Sequence, residues 1–113
     1  MMIRTTLSAA GLAVMLMAAP LAQAVDADAA QALAKKEGCL KCHAVDKKKE
    51  AASLKSIAKK YAGKADAQAK VREQITSGQK VKLEDGTEEE HKTIKTKDDA
   101  EIKNMIQWIL SLK

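Results

Sequence analysis

The chain has 113 residues, enough for one small domain, and with no Phe, one Tyr and one Trp that domain can bury little aromatic surface. Domains of this size usually need a staple such as disulfides, a metal or a cofactor. The formal net charge of +5 is carried almost wholly by lysine, and the lack of aromatic platforms excludes nucleic acid as the expected partner while leaving a basic rim that suits an acidic protein.

The first residues read as an export leader. Arg4 is the positive start, an apolar run extends from Leu7 to about Ala19, and Ala22-Gln23-Ala24 is a small-x-small cleavage site. The run is shorter than the ~20 residues of a spanning helix. The expected division is therefore a cleaved signal peptide over 1–24 and one domain over 25–113, periplasmic and without stable membrane insertion after cleavage. Loss of Arg4 leaves the mature chain at about +4 by the same count. An oxidising compartment leaves two thiols either paired or attached to something.

Asp26 or Asp28 can cap a first helix through Ala30, Leu33 and Ala34, which runs up to Gly38 and delivers the chain to Cys39. After the lysine-rich turn Lys47-Lys48-Lys49, residues Leu54, Ile57, Ala58 and Tyr61 fall at i, i+3, i+4 and i+7, with Gly63 as the stop. Asp66 is placed to cap a third helix carrying Val71 and Ile75 and ended by Gly78. Residues 78–95 show an Asp85-Gly86 turn signal, a Glu88-Glu89-Glu90 run and little periodicity, which predicts a long loop; such loops usually have a job. Thr96 and Asp99 form a capping-box pattern ahead of Ile102, Met105, Ile106 and Ile109, with Trp108 and Leu112 widening that face. No run at strand period appears and the sole proline, Pro20, lies in the leader, so the expected fold class is all-α.

Cys39-Leu40-Lys41-Cys42-His43 has the C-x-x-C-H spacing of a c-type haem attachment site. On one helical turn the two sulfurs project from one face towards the two vinyl groups of a porphyrin edge, and the next residue, His43, reaches the iron from the same side. Three other readings use the same residues. A thioredoxin-like dithiol belongs in a βαβ setting. A zinc site would take Cys39, Cys42, His43 and His91, but lacks the usual gap between second cysteine and first histidine. A plain disulfide is the third.

The run Gly38 to Asp46, the later Ile57-Ala58-Lys59-Lys60-Tyr61-Ala62-Gly63, and the ending Asp98-Asp99 through Trp108-Ile109-Leu110-Ser111 resemble class I c-type cytochromes, most of all the short bacterial c-551/c-552 type. The resemblance spans nearly all of the mature chain. It implies four short helices and a long distal loop around one covalently bound haem c, with the first and last helices crossing near Gly38 and Trp108 and a porphyrin edge open for electron exchange. It also implies an electron carrier rather than an enzyme, and the lysine-rich charge adds the expectation of redox partners with acidic docking surfaces.

Two positions depart from that family. Its usual Gly-Pro pair, whose proline carbonyl orients the proximal histidine, is matched here by Ala51 and Ala52, which still offer a carbonyl. Its distal methionine is missing from the loop before the last helix, where His91 stands within about a residue of that place. The expected iron ligands are thus His43 and His91. A water-bound or open site, Met105 or a lysine are the alternatives, Met105 sitting on an apolar helical stripe where methionine is more often core. A ligand-binding or sensing haem protein with a displaceable His91 loop is the competing function.

Overall fold

The computed structural model describes residues 10–15 and 24–113; of the leader expected over 1–24, residues 1–9 and 16–23 lie outside them. Among the described residues four helices make the frame: α1 (Ala27–Lys36), α2 (Leu54–Tyr61), α3 (Ala67–Ser77) and α4 (Asp99–Ser111), with a 3-10 turn at Cys39–Lys41. Helix α4 packs against the other three. Among the described residues, no helix is long and apolar enough to cross a membrane.

The helix boundaries follow local chemistry. Asp26 accepts from the Ala29 amide at 3.0 Å, and Lys35 and Lys36 complement the far end of α1. Gly38 then turns the chain with φ +79, a left-handed conformation costly for other residues. A Cβ there would meet the Lys92 ammonium and not α4, so this glycine serves the turn rather than the expected close helix crossing. Trp108, by contrast, is buried in the core.

Ser53, which the sequence reading passes over, caps α2 through the Ser56 amide at 3.1 Å. Asp66 stands at the start of α3 as expected, but its side chain makes no capping bond. At α4 the cap is Asp98, bonded to the Glu101 amide at 3.1 Å, instead of the expected Thr96 and Asp99. Thr96 serves as a relay: its hydroxyl accepts from the Asp98 amide at 3.2 Å and donates to the Glu101 carboxylate at 3.1 Å. The N-cap therefore sits two residues later than the pattern suggested, with Thr96 bridging the Asp98 amide and the Glu101 side chain.

The segment expected as loop contains an antiparallel hairpin, β1 (Lys80–Lys82) and β2 (Glu88–Glu90), in the register Lys80 opposite Glu90 and Lys82 opposite Glu88. Opposite charges face across the ladder, which favours the pairing. Asp85 Oδ1 accepts from the Thr87 amide and hydroxyl at 2.9 and 2.6 Å, and Gly86 takes φ +87 to close the turn. Strands of three residues give no readable period-2 pattern, which is why they were invisible in the sequence. The class remains all-α with this one insertion.

Among the described residues the core is one cluster: Ala30, Leu33 and Ala34 of α1, Leu54 of α2, Val71 and Ile75 of α3, Ile94, and Ile102, Met105, Ile106, Trp108 and Ile109 of α4. The free end of α1 is tied to α4 by a reciprocal pair. The Asp26 amide donates to Asn104 Oδ1 at 2.9 Å while Asn104 Nδ2 donates to the Asp26 carbonyl at 2.9 Å. Asn104→Ala removes both bonds at a half-exposed site and is expected to cost about 1–2 kcal/mol, measurable as a lower urea midpoint with an unchanged slope.

Candidate functional site

The 3-10 turn, α2, α3, the hairpin and α4 surround a cavity of about 490 Å³, within the size range of cofactor sites, roughly 300–1,000 Å³. Cys39, Cys42, His43 and His91 all line it, so every residue singled out for the site opens onto one space. Its apolar wall includes Ile57, Val71, Ile75, Met105 and Ile109. A more open depression of about 800 Å³ between α2 and the end of α4 is lined by serines, lysines and small apolar residues without His, Cys or carboxylate side chains. The chemistry belongs to the first.

His43 is set by the chain running back beside it. The Ala51 amide donates to the Cys42 carbonyl at 3.0 Å and the Leu54 amide to the Ala44 carbonyl at 2.9 Å, which brings the Ala52 carbonyl to His43 Nδ1 at 2.6 Å. A carbonyl only accepts, so Nδ1 carries the hydrogen and Nε2 keeps its lone pair. Ala52 thus performs the task that the resemblance assigns to a proline carbonyl.

His91 is held in the same manner. Its amide donates to the Gln79 carbonyl at 2.9 Å, and three residues on the Ile94 amide donates to the Ile75 carbonyl at 3.0 Å, pinning the segment to the end of α3. His91 Nδ1 donates to the Lys92 carbonyl at 2.9 Å, which again frees Nε2. Burial pushes the His91 pKa down, partly offset by the Lys92 carbonyl and helped by His43, and the neutral ring is the one that binds metals.

The two ring centroids lie 6.3 Å apart with planes tilted by 38°. A metal–imidazole bond of about 2 Å on each side, plus about 1 Å from nitrogen to ring centre, gives about 6 Å for two imidazoles sharing one ion. The spacing fits an iron between them.

Cys39 and Cys42 are not joined to each other by a disulfide. Burial pushes both pKa values up, helped by the Glu37 charge at Cys39 and by Glu50 at Cys42, whose sulfur lies 3.5 Å from Glu50 Oε2. A redox dithiol or thiolate ligand needs the opposite shift. Among the described residues no group of three or more His, Cys, Asp or Glu side chains is gathered to hold a metal ion, so the four-ligand zinc arrangement does not form. Met105, fully buried, reaches the same cavity from α4.

Two features of the site were not foreseen. Glu37, only 6 % exposed, accepts from the Lys95 and Thr96 amides at 2.7 and 3.1 Å and joins the attachment turn to the segment after His91. Its position was a signal, since an acid at the C-terminal end of a helix opposes the macrodipole unless something holds it. The lysine turn is also engaged: Lys48 lies 3.6 Å from Glu84 of the hairpin loop, and Lys49 donates to the Leu40 carbonyl at 3.1 Å.

A family model described as "Cytochrome c" matches residues 27–113. Cytochrome c2 of Rhodocyclus tenuis is 37% identical over 83 residues, 73% of this chain and 90% of that protein. Cytochrome c-551 of Pseudomonas aeruginosa is 40% identical over 58 residues, 51% of this chain but only 56% of the relative. Among solved structures, the class 1 cytochrome MtoD from Sideroxydans lithotrophicus ES-1 superposes with a TM-score of 0.76 at 56% identity, covering 79% of this chain and 98% of that one.

Proposed function

The chain belongs to the cytochrome c family, and from that premise we propose that it is a periplasmic one-electron carrier with haem joined to Cys39 and Cys42, His43 as proximal ligand and His91 as distal ligand. The family binds one covalently attached haem c, and Cys39, Cys42 and His43 fit its C-x-x-C-H motif. Bound haem supplies an iron that cycles between ferrous and ferric states.

The observation that carries the reading is the pair of imidazoles 6.3 Å apart across the cavity, each with Nδ1 committed to a backbone carbonyl and Nε2 left over. Two thioethers keep the cofactor in a domain too small to enclose it. His43 and His91 would together hold the iron and leave it no free coordination site, which would suit electron transfer and discourage ligand or peroxide chemistry. The main-chain bonds of His91 and Ile94 favour this over a displaceable distal loop. Met105, Ile109 and Val71 keep water from one side, and low local polarity strengthens the fixed charges that remain.

Lys41 and Lys47 to Lys49 surround the attachment turn and form the rim to which an acidic redox protein docks, guided by charge before contact. The leader over 1–24 accounts for export to the compartment in which haem is attached.

Expression in a host able to attach haem, followed by haem staining of a denaturing gel, is expected to give a stained band at the size of the mature chain. Cys39→Ser/Cys42→Ser should leave it unstained. Low-temperature electron paramagnetic resonance of the oxidised wild type should then show a low-spin bis-imidazole signal. A high-spin wild type would sink the assignment of His91.

A further inference from the structure

The surface around Cys42 has two lobes of opposite charge. The turn after the attachment motif carries Lys47, Lys48 and Lys49, while β2 presents Glu88, Glu89 and Glu90, all of them exposed. The lobes adjoin: the Glu84 amide donates to the Glu50 carbonyl at 3.2 Å, and Lys48 sits 3.6 Å from the Glu84 carboxylate. Cys42 lies on the seam, with Glu50 at 3.5 Å.

We propose that this bipolar face docks a second copy of the same chain, turned by half a rotation so that each lysine lobe meets the other's hairpin and the two Cys42 edges face each other for electron self-exchange. The proposal rests on the carrier reading above.

A face that is basic on one side of a seam and acidic on the other is complementary to itself under a two-fold axis, the usual symmetry of paired identical chains. Net charge works against such pairing, since both copies are positive. Screening over about 8 Å at physiological salt removes most of that long-range repulsion, while pairs in contact are screened less. Exposed ion pairs contribute about 0–1 kcal/mol each, so the complex is transient, as a carrier requires. The Lys48–Glu84 pair, exposed on both sides, readily changes partner. One electron passes from the reduced copy to the oxidised one; the first is oxidised as the second is reduced, and no proton moves or bond changes.

The test uses two haem-loaded variants, Lys47→Glu/Lys48→Glu with both lobes acidic and Glu88→Lys/Glu89→Lys with both lobes basic. Self-exchange is read from nuclear magnetic resonance line broadening in half-oxidised samples, and cross-exchange by stopped flow. At low salt each variant is expected to self-exchange about tenfold more slowly than wild type, while the reduced acidic variant and oxidised basic variant exchange faster than either alone. Net charge alone predicts the reverse for the lysine variant, whose mature net charge of about zero by the same count would speed its self-exchange. A lysine variant as fast as wild type, or a cross rate no higher than both self rates, overturns the proposal. A second readout needs no electron transfer: on dilution of fully oxidised wild type, amide shifts should move at 41, 47–49 and 84–90, and shifts that stay fixed there also count against it. Self-exchange unaffected by charge in a protein that still cycles with a chemical reductant ends the docking idea alone; a chain that takes no haem ends the carrier reading.

Discussion

His91→Met is expected to raise the reduction potential by on the order of 0.1 V, a modest part of the roughly 0.8 V that axial ligands span. A thioether stabilises ferrous iron relative to an imidazole, and position 91 is held by main-chain bonds that do not depend on its side chain, through the Gln79 carbonyl before it and Ile75 after it. The substitution therefore changes the donor and leaves its mounting. Glu88, Glu89 and Glu90 stay in place beside it, and their charge favours the ferric state in both proteins, weakened by exposure and salt. Protein-film voltammetry measures the shift. His91→Ala should in addition lose the low-spin signal of the oxidised protein. If potential and signal survive both changes, the iron takes its second ligand elsewhere, and fully buried Met105 on the cavity wall becomes the first residue to replace.

Legibility in the sequence followed the range of the interactions involved. The attachment motif and the four helices were readable because their signals are local: apolar spacing in each, the Asp26 cap of α1, and a glycine just past the ends of α1, α2 and α3. His91 stood out because it replaced an expected methionine at nearly the same place. The hairpin was hidden because its strands are three residues long and held by cross-strand Lys–Glu pairing, contacts between positions ten and six apart. The position of the Ala52 carbonyl at 2.6 Å from His43 depended on the chain folding back through Ala44 and Leu54, which no single residue encodes. Most hidden of all was Glu37, whose two partners lie 58 and 59 residues away.

Glu37→Ala is expected to destabilise the protein by about 2–4 kcal/mol, because it removes two hydrogen bonds to a charged acceptor and leaves the Lys95 and Thr96 amides without one. For a domain of this size that is a fall in Tm of roughly 10–20 °C. Glu37→Gln keeps the shape and one acceptor oxygen and should fall between. Acid separates the variants further. The Lys95 amide holds the Glu37 carboxyl below its ordinary range against the opposing effect of burial, with help from the Thr96 amide and the charges of Lys36 and Lys95. A carboxyl whose folded pKa is depressed contributes its full stability above the unfolded value, about 4.3, and loses it as pH falls through the lower folded value. Wild type should therefore lose stability on acidification through that window more steeply than Glu37→Gln, whose side chain does not titrate; parallel curves would remove the carboxylate from the account. Glu37 also reaches into function by position. It sits two residues before Cys39, and the amides it binds continue directly from His91 through Ile94. One buried carboxylate thus ties the proximal attachment turn to the distal segment, so in Glu37→Ala the low-spin to high-spin change on heating is expected to precede loss of helix, whereas in wild type the two coincide.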